Sequence, residues 1–142
     1  MAITQAMCSS FKGEVMQALH DFDVAANTFK LALYTSTAVL GPSTTVYSST
    51  NEVPNSGSYS AGGGTLVNQG VTVSGTTGFT DFADISFTTA TITARGALIY
   101  NSTNADRAVC VLDFGSDKIS TAGTFTIVFP TANATDAIIR IA

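Results

Sequence analysis

The order of apolar and polar positions divides the chain into one helical stretch and a long series of strands. Phe11, Val15, Ala18, Leu19 and Phe22 fall at i, i+4, i+7, i+8 and i+11, the stripe one helical face presents to a core. Lys12, Gln17 and Asp21 lie mostly on the other side. Ser9 or Ser10 can cap the N-terminus by accepting a bond from a free backbone N–H, while Gly13 weakens the stretch a little. The pattern predicts a helix over about 10–22, the one helix of the chain.

From Thr28 the period changes to two. Phe29, Leu31 and Leu33 alternate with Lys30, Ala32 and Tyr34, as in a half-buried strand. The stretch 35–60 is polar, with Gly41-Pro42 and Pro54-Asn55 as turn signals, and reads as a long loop holding at most one short edge strand. Gly62-Gly63-Gly64 then punctuates the chain before a strand carrying Val67, Val71 and Val73. Further strands follow at Phe82–Phe87, at Ile92–Tyr100 (with Gly96 as a candidate bulge), at 107–114, and around Phe125, Ile127 and Phe129. The run 107–114 is nearly continuous in apolar residues, so it belongs in the centre of a sheet or under cover on both faces. Ile138-Ile139-Arg140-Ile141 closes the chain as a terminal strand. Seven or eight short strands and one N-terminal helix predict an all-β, jelly-roll-like β-sandwich. It forms a single domain, 1–142, with the sandwich over 28–142.

Composition changes the picture in one respect. Only 16 of the 142 residues are charged, about half the usual share, while 22 are Thr and 14 Ser. A surface of neutral hydroxyls and apolar groups suits lying against other protein. The net charge is −4, and the six basic residues are scattered, which argues against nucleic acid as a partner. No apolar run approaches the ~20 residues that cross a bilayer, so no membrane role is expected. The start, Met1-Ala2-Ile3-Thr4-Gln5, lacks the basic and apolar regions of a signal peptide, which implies synthesis in the cytoplasm. Cys8 and Cys110 are accordingly expected to be free, and the sequons at Asn101 and Asn133 to be chance matches.

Candidate chemistry is thin. His20, the single histidine, has Asp21 and Asp23 nearby, but these read as ordinary helix-end and loop residues. Asp113-Phe114-Gly115 matches a kinase triplet by letters alone. Asp113 with Asp117, or Asp81 with Asp84, could hold a cation weakly, yet turn formation is the simpler role. The glycine triplet precedes a strand rather than a helix, so it is no phosphate loop. Glu52, Asp84 and Asp113 could in principle meet as glycosidase carboxylates, but no spacing supports it and the chain lacks Trp. No catalytic residue, metal site or cofactor is expected. Tyr34, Tyr47, Tyr59 and Tyr100 fall on an outer strand face or in loops, where tyrosine can anchor an interface or cap its own sandwich edge.

Several blocks occur together in order: Ser10-Phe11-Lys12-Gly13-Glu14-Val15 through His20-Asp21-Phe22, Thr28–Thr35, Thr50-Asn51-Glu52-Val53 and Ser58-Tyr59-Ser60-Ala61-Gly62-Gly63, then Ile92–Asn101 and the tail Ile138–Ile141. Over nearly its whole length the chain resembles a family of small virion proteins of tailed bacteriophages, among them capsid cement, or decoration, proteins of jelly-roll fold. The resemblance implies a non-enzymatic protein on the exterior of the phage head, bridging subunits of the major capsid protein. It also implies many copies per particle and a homo-oligomer, with a dimer favoured. It supplies no contact residues. From the sequence itself, the interface candidates are Phe11, Tyr34, Thr44, Tyr47, Val53, Tyr59, Thr91 and Thr93, on the N-terminal segment, the long loop and outward strand positions. The alternative is a tail-fibre or receptor-recognition module, since β-sandwiches host both jobs. A small hydrolase is the remaining reading.

Overall fold

One long hairpin organises the chain in the computed structural model, which describes residues 2–142. Strand β6 (Ile85–Asn101) turns at 102–106 into β7 (Arg107–Ile127), and the two pair antiparallel along nearly their full lengths. Sequence alternation divides each of them into two shorter strands. The break comes from bulges, with register shifts between Phe87 and Ala90, Ala90 and Ile92, Ala94 and Gly96, and Ile99 and Tyr100. Each inserted residue flips the parity of the pattern while the ladder continues. The sequence places a candidate bulge at Gly96; the extra residues of that shift lie instead on β7, at 114–117, and Gly96 pairs with Asp113 beside them.

Around this hairpin the other strands assemble. β1 (Ala6–Met7) pairs with β7, β2 (Phe29–Tyr34) with β6, and β3 (Gly64–Thr65) with β2, giving the order β1-β7-β6-β2-β3. A second, smaller sheet has the order β4-β5-β8, from Asn68–Ser74, Thr77–Phe82 and Ile139–Ile141. The all-β, two-sheet expectation holds, with eight strands and one helix among the described residues. Near the 102–106 turn the hairpin has neighbours on both edges, and every residue of 96–101 and 108–111 is buried. The apolar run is therefore central. Farther out, Phe87, Ala90, Ile92, Phe125 and Ile127 point inward, while Ser86, Thr88, Thr91, Thr93, Thr124 and Thr126 face solvent.

An aromatic cluster joins the sheets. Phe22 stacks on Phe29 with ring centroids 4.4 Å apart, and Phe82 of the small sheet lies 5.7 Å from Phe29. Phe129 adds to Phe82 at 5.8 Å, and Phe11 of the helix reaches Phe22 edge-on at 5.9 Å. Such pairs contribute about 0.5–1.5 kcal/mol each beyond the area they bury.

The helix is shorter than its stripe suggests. α1 spans Ser9–Met16 and stops because Ala18 adopts a left-handed conformation, φ 60°. The Leu19 N–H then bonds the Glu14 carbonyl and the Ala18 N–H the Val15 carbonyl, the pairings that close a helix C-terminus. Phe22 still packs on Phe11, but from the segment after the helix. The expected serine cap is also absent. Cys8 occupies the cap position without a side-chain bond, the Ser9 N–H bonds the Pro42 carbonyl, and Ser10 Oγ is buried without a partner.

His20 sits beyond the helix in a polar knot. Asn101 Oδ1 accepts the N–H groups of Thr103 and Asn104, so its Nδ2 faces His20 Nδ1 at 3.1 Å. The ring therefore accepts at Nδ1 and donates from Nε2 to Glu14 Oε1 at 3.0 Å, while Arg107 bonds the other Glu14 oxygen at 3.0 Å. Asn101 also bonds the Leu19 carbonyl and Asn27, tying the post-helix segment to the hairpin turn. Both ring nitrogens are engaged and Asn101 is fully buried, so the histidine acts here as a tie between the helix, the segment after it and the hairpin turn. Asn101→Ala should lower the unfolding free energy by about 2–4 kcal/mol, since it orphans several buried groups at once. Urea denaturation measures this. A loss below about 0.5 kcal/mol, the size of an ordinary surface change, would refute the hub role.

Candidate protein interface

The long polar stretch is ordered by backbone bonds and by one carboxylate. Thr35 N–H bonds the Asn51 carbonyl at 3.0 Å and Val53 N–H the Leu33 carbonyl at 2.9 Å. Tyr47 N–H reaches the Asp106 carbonyl at 2.9 Å, and Ala108 N–H the Thr45 carbonyl at 3.0 Å. These bonds lash the loop to β2 and to the start of β7. No long strand forms, in agreement with the loop expected over 35–60; isolated bridges such as Tyr34 with Glu52 and Val46 with Arg107 stand in for one.

Glu52 gathers the tyrosines. Its Oε2 accepts the Tyr47 hydroxyl at 2.5 Å, and its Oε1 accepts the Tyr59 hydroxyl and the Gly62 N–H, both at 2.7 Å. Tyr59 oxygen in turn accepts the Leu33 N–H at 2.8 Å, and Tyr100 donates to the Gly62 carbonyl at 2.5 Å. Tyr47 stacks on Tyr100 at 4.7 Å, and Tyr34 donates to the Ser48 carbonyl at 2.7 Å. All four tyrosines of the chain thus converge on the loop. A carboxylate met by three donors needs no cation beside it, because charge-assisted hydrogen bonds replace lost hydration. Glycine completes the seat. Gly63 (φ +83°) lies so close to the Leu31 carbonyl that a Cβ would overlap it, and Gly57 (φ +54°) is pressed likewise against Thr88 and Thr89.

What this scaffold displays is neutral. A concavity of about 540 Å³ is lined by Thr37, Ser43, Thr44, Thr45, Ser48 and Thr50, with exposed Val39 and Val46 beside them and no charged side chain in its walls. Next to it Thr37 and Asn51 bond each other at 3.1 Å. A second hydroxyl surface is the outward face of the β6–β7 hairpin, where Ser86 and Thr126 bond across the strands at 2.8 Å.

The eight interface candidates divide accordingly. Thr91 and Thr93 are exposed on that outward face, and Thr44 and Tyr47 are half-buried at the concavity and the Glu52 cluster. Phe11, Tyr34, Val53 and Tyr59 are 0–2% exposed, so they have no surface to lend a partner. Their role is internal: Phe11 in the aromatic cluster, Val53 under the loop, Tyr34 and Tyr59 as its fastenings. The residue that sequence reasoning missed is Glu52 as organiser. The available signal was that Glu52 is the single charged residue between Lys30 and Asp81.

The carboxylates raised as glycosidase candidates have separate partners. Glu52 holds tyrosines, Asp84 accepts the Phe129 N–H at 2.9 Å, and Asp113 accepts the Gly115 N–H at 2.9 Å and pairs with Arg95 at 3.3 Å. The Gly115 bond, ahead of Arg95, holds the Asp113 carboxyl below the usual carboxylate range, the turn role expected of it. Among the described residues no cluster of three metal-ligating side chains occurs. Burial pushes the Cys8 thiol up to about 11 and the Cys110 thiol up to about 12, so neither is a thiolate nucleophile near neutral pH.

Burial, reinforced by nearby carboxylates, also holds the tyrosines protonated: Tyr100 is pushed up to about 12, and Tyr34, Tyr47 and Tyr59 higher still. In the unfolded chain they ionise near 10. Above that pH the unfolded state holds fewer protons than the native one, so stability is intact below pH ~10 and falls as pH rises beyond it. Tyrosinate absorbance should therefore appear together with loss of the circular dichroism signal, above pH ~10. Ionisation of the four tyrosines near pH ~10 in a still-folded chain would contradict the packing. Comparison with protein-family models, with curated proteins and with solved structures finds no match to this chain.

Proposed function

We propose that the protein is a structural virion component, a capsid cement protein that lies on the outside of a phage head and bridges major capsid protein subunits. The observation that carries this reading is the charge-free hydroxyl shelf of the 35–60 loop, held in place by Glu52 and four tyrosines. A repeated interface gains from neutral hydroxyls, because buried and imperfectly paired charges are expensive to desolvate. A loop already ordered also loses little entropy on docking. The kinship with jelly-roll virion proteins belongs to the same proposal.

Phage heads that lack the protein should lose their DNA at lower temperature than complete heads, and adding purified protein should restore them. Thr45→Lys places a charge on the shelf at an exposed position. It should weaken binding to heads about tenfold or more, while leaving the melting temperature of the free protein unchanged. Heads equally robust without the protein would end the cement reading. Particles carrying only a few copies, at the tail, would favour the receptor-recognition module instead.

A further inference from the structure

One arc of the shelf takes no bond from the Glu52 cluster. Val39, Leu40, Ser43 and Thr44 form part of the wall of the concavity, with Val39 61% exposed and Leu40 only half-buried. Apolar burial therefore gives residues 39–43 little hold. Among the described residues, every hydrogen bond that 39–43 makes beyond its own turn goes to the segment 2–9. Leu40 N–H bonds the Ala2 carbonyl at 3.3 Å, Thr4 N–H the Leu40 carbonyl at 2.9 Å, and Ser9 N–H the Pro42 carbonyl at 2.8 Å. The Cys8 thiol points to the Gly41 carbonyl at 3.9 Å. The remaining bonds, between Gly41 and Thr44, stay inside the turn.

The same segment is fastened to the large sheet. Ala6 and Met7 pair with Val111 and Cys110, Cys8 N–H bonds the Val109 carbonyl at 3.0 Å, and Gln5 Oε1 accepts the Asp113 N–H at 3.1 Å. Ile3 supplies the apolar anchor. It is 7% exposed, forms a parallel bridge with Leu40, and lies against Gly96 of β6. A Cβ at Gly96 would stand 2.9 Å from Ile3 Cγ2 and 3.0 Å from its Cδ1, well inside the distance at which carbon atoms pack, and 2.5 Å from the Leu112 carbonyl oxygen. The Gly96 backbone is not left-handed, so this glycine answers to close approach, and half of the space it leaves is taken by Ile3.

We propose that segment 2–9 is a strap that sets one wall of the docking shelf, with Ile3, seated on Gly96, as its positioning residue. The strap carries the arc 39–43 to the sheet, so unseating Ile3 loosens Val39, Leu40 and Thr44 while the Glu52-held part of the shelf stays in place. That the shelf docks on a phage head rests on the cement reading; that the strap sets its wall does not.

Amide hydrogen exchange on the full chain, read beside binding to heads, tests the proposal. Ile3→Ala should make the Leu40 and Thr44 amides exchange at least about tenfold faster, with the Val53, Gly62 and β2 amides unchanged. Ile3→Val, which keeps most of the contact with Gly96, should lose much less. Thr4→Pro, at an exposed position, removes the N–H that holds the Leu40 carbonyl and should loosen the same two amides without touching the core. Both loosened variants should bind heads about tenfold more weakly. Leu40 and Thr44 amides as protected in Ile3→Ala and Thr4→Pro as in the original protein would overturn the strap. So would a loss of protection spread evenly over β2 and Gly62, which would make Ile3 an ordinary core residue, or heads bound equally well by original and loosened chains. An original protein that binds no heads ends the cement reading, and the docking role of the strap with it, while the exchange rates still decide whether the strap sets the wall.

Discussion

The hydrogen bonds on the Glu52 carboxylate are the constraint on which the long loop depends. A stretch with so few apolar residues cannot hold itself against a sheet by hydrophobic burial alone. It is held because one half-buried carboxylate draws two phenol hydroxyls and a backbone N–H to a single point, 2.5–2.7 Å away. The phenol rings are themselves core. Tyr34 and Tyr59 are almost fully buried, and Tyr59 receives the Leu33 N–H from β2. The same residues therefore fill the apolar interior and fasten the polar exterior to it.

Two physical devices with different ranges result. The β6–β7 hairpin and the Phe11–Phe22–Phe29–Phe82–Phe129 cluster set the architecture by burying apolar surface, which is insensitive to detailed direction. The Glu52 cluster and the Asn101–His20–Glu14–Arg107 knot set the positions of the two least regular segments by directed bonds. Charge is used sparingly, and Glu14, Arg107 and Glu52 carry these networks. The outer face, in consequence, carries Thr91, Thr93, Thr124 and Thr126 with almost no charge among them. Such a surface is suited to docking against protein.

Much of this was legible in the sequence, and the parts that were not share a cause. The strand at Phe29–Tyr34, the central burial of 108–111 and the outward threonines all follow from local periodicity. Periodicity fails where parity is reset, which is why the bulged β6 and β7 read as four strands. It also fails where two apolar stripes coincide by chance. Phe22 continues the helical stripe of Phe11 and Val15, but the chain leaves the helix at Ala18 and returns Phe22 to the same core by another path. The candidate interface shows the same division. Thr91 and Thr93 could be placed from alternation, whereas Tyr34 and Tyr59 could not. A tyrosine in a polar loop looks like a surface anchor until the acceptor for its hydroxyl is known, and Glu52 is remote from Tyr59 and Tyr47 in the strand pattern.

Amide hydrogen exchange on the free protein tests the central claim, that the 35–63 segment is fixed before any partner arrives. The N–H groups of Thr35, Tyr47, Val53 and Gly62 each have a bonded acceptor: the carbonyls of Asn51, Asp106 and Leu33, and the Glu52 carboxylate. They should exchange slowly, protected to an extent approaching that of β2, and Glu52→Gln should release the Gly62 amide first. Exchange of these four amides at the rates of an unstructured chain, with β2 still protected, would contradict the account.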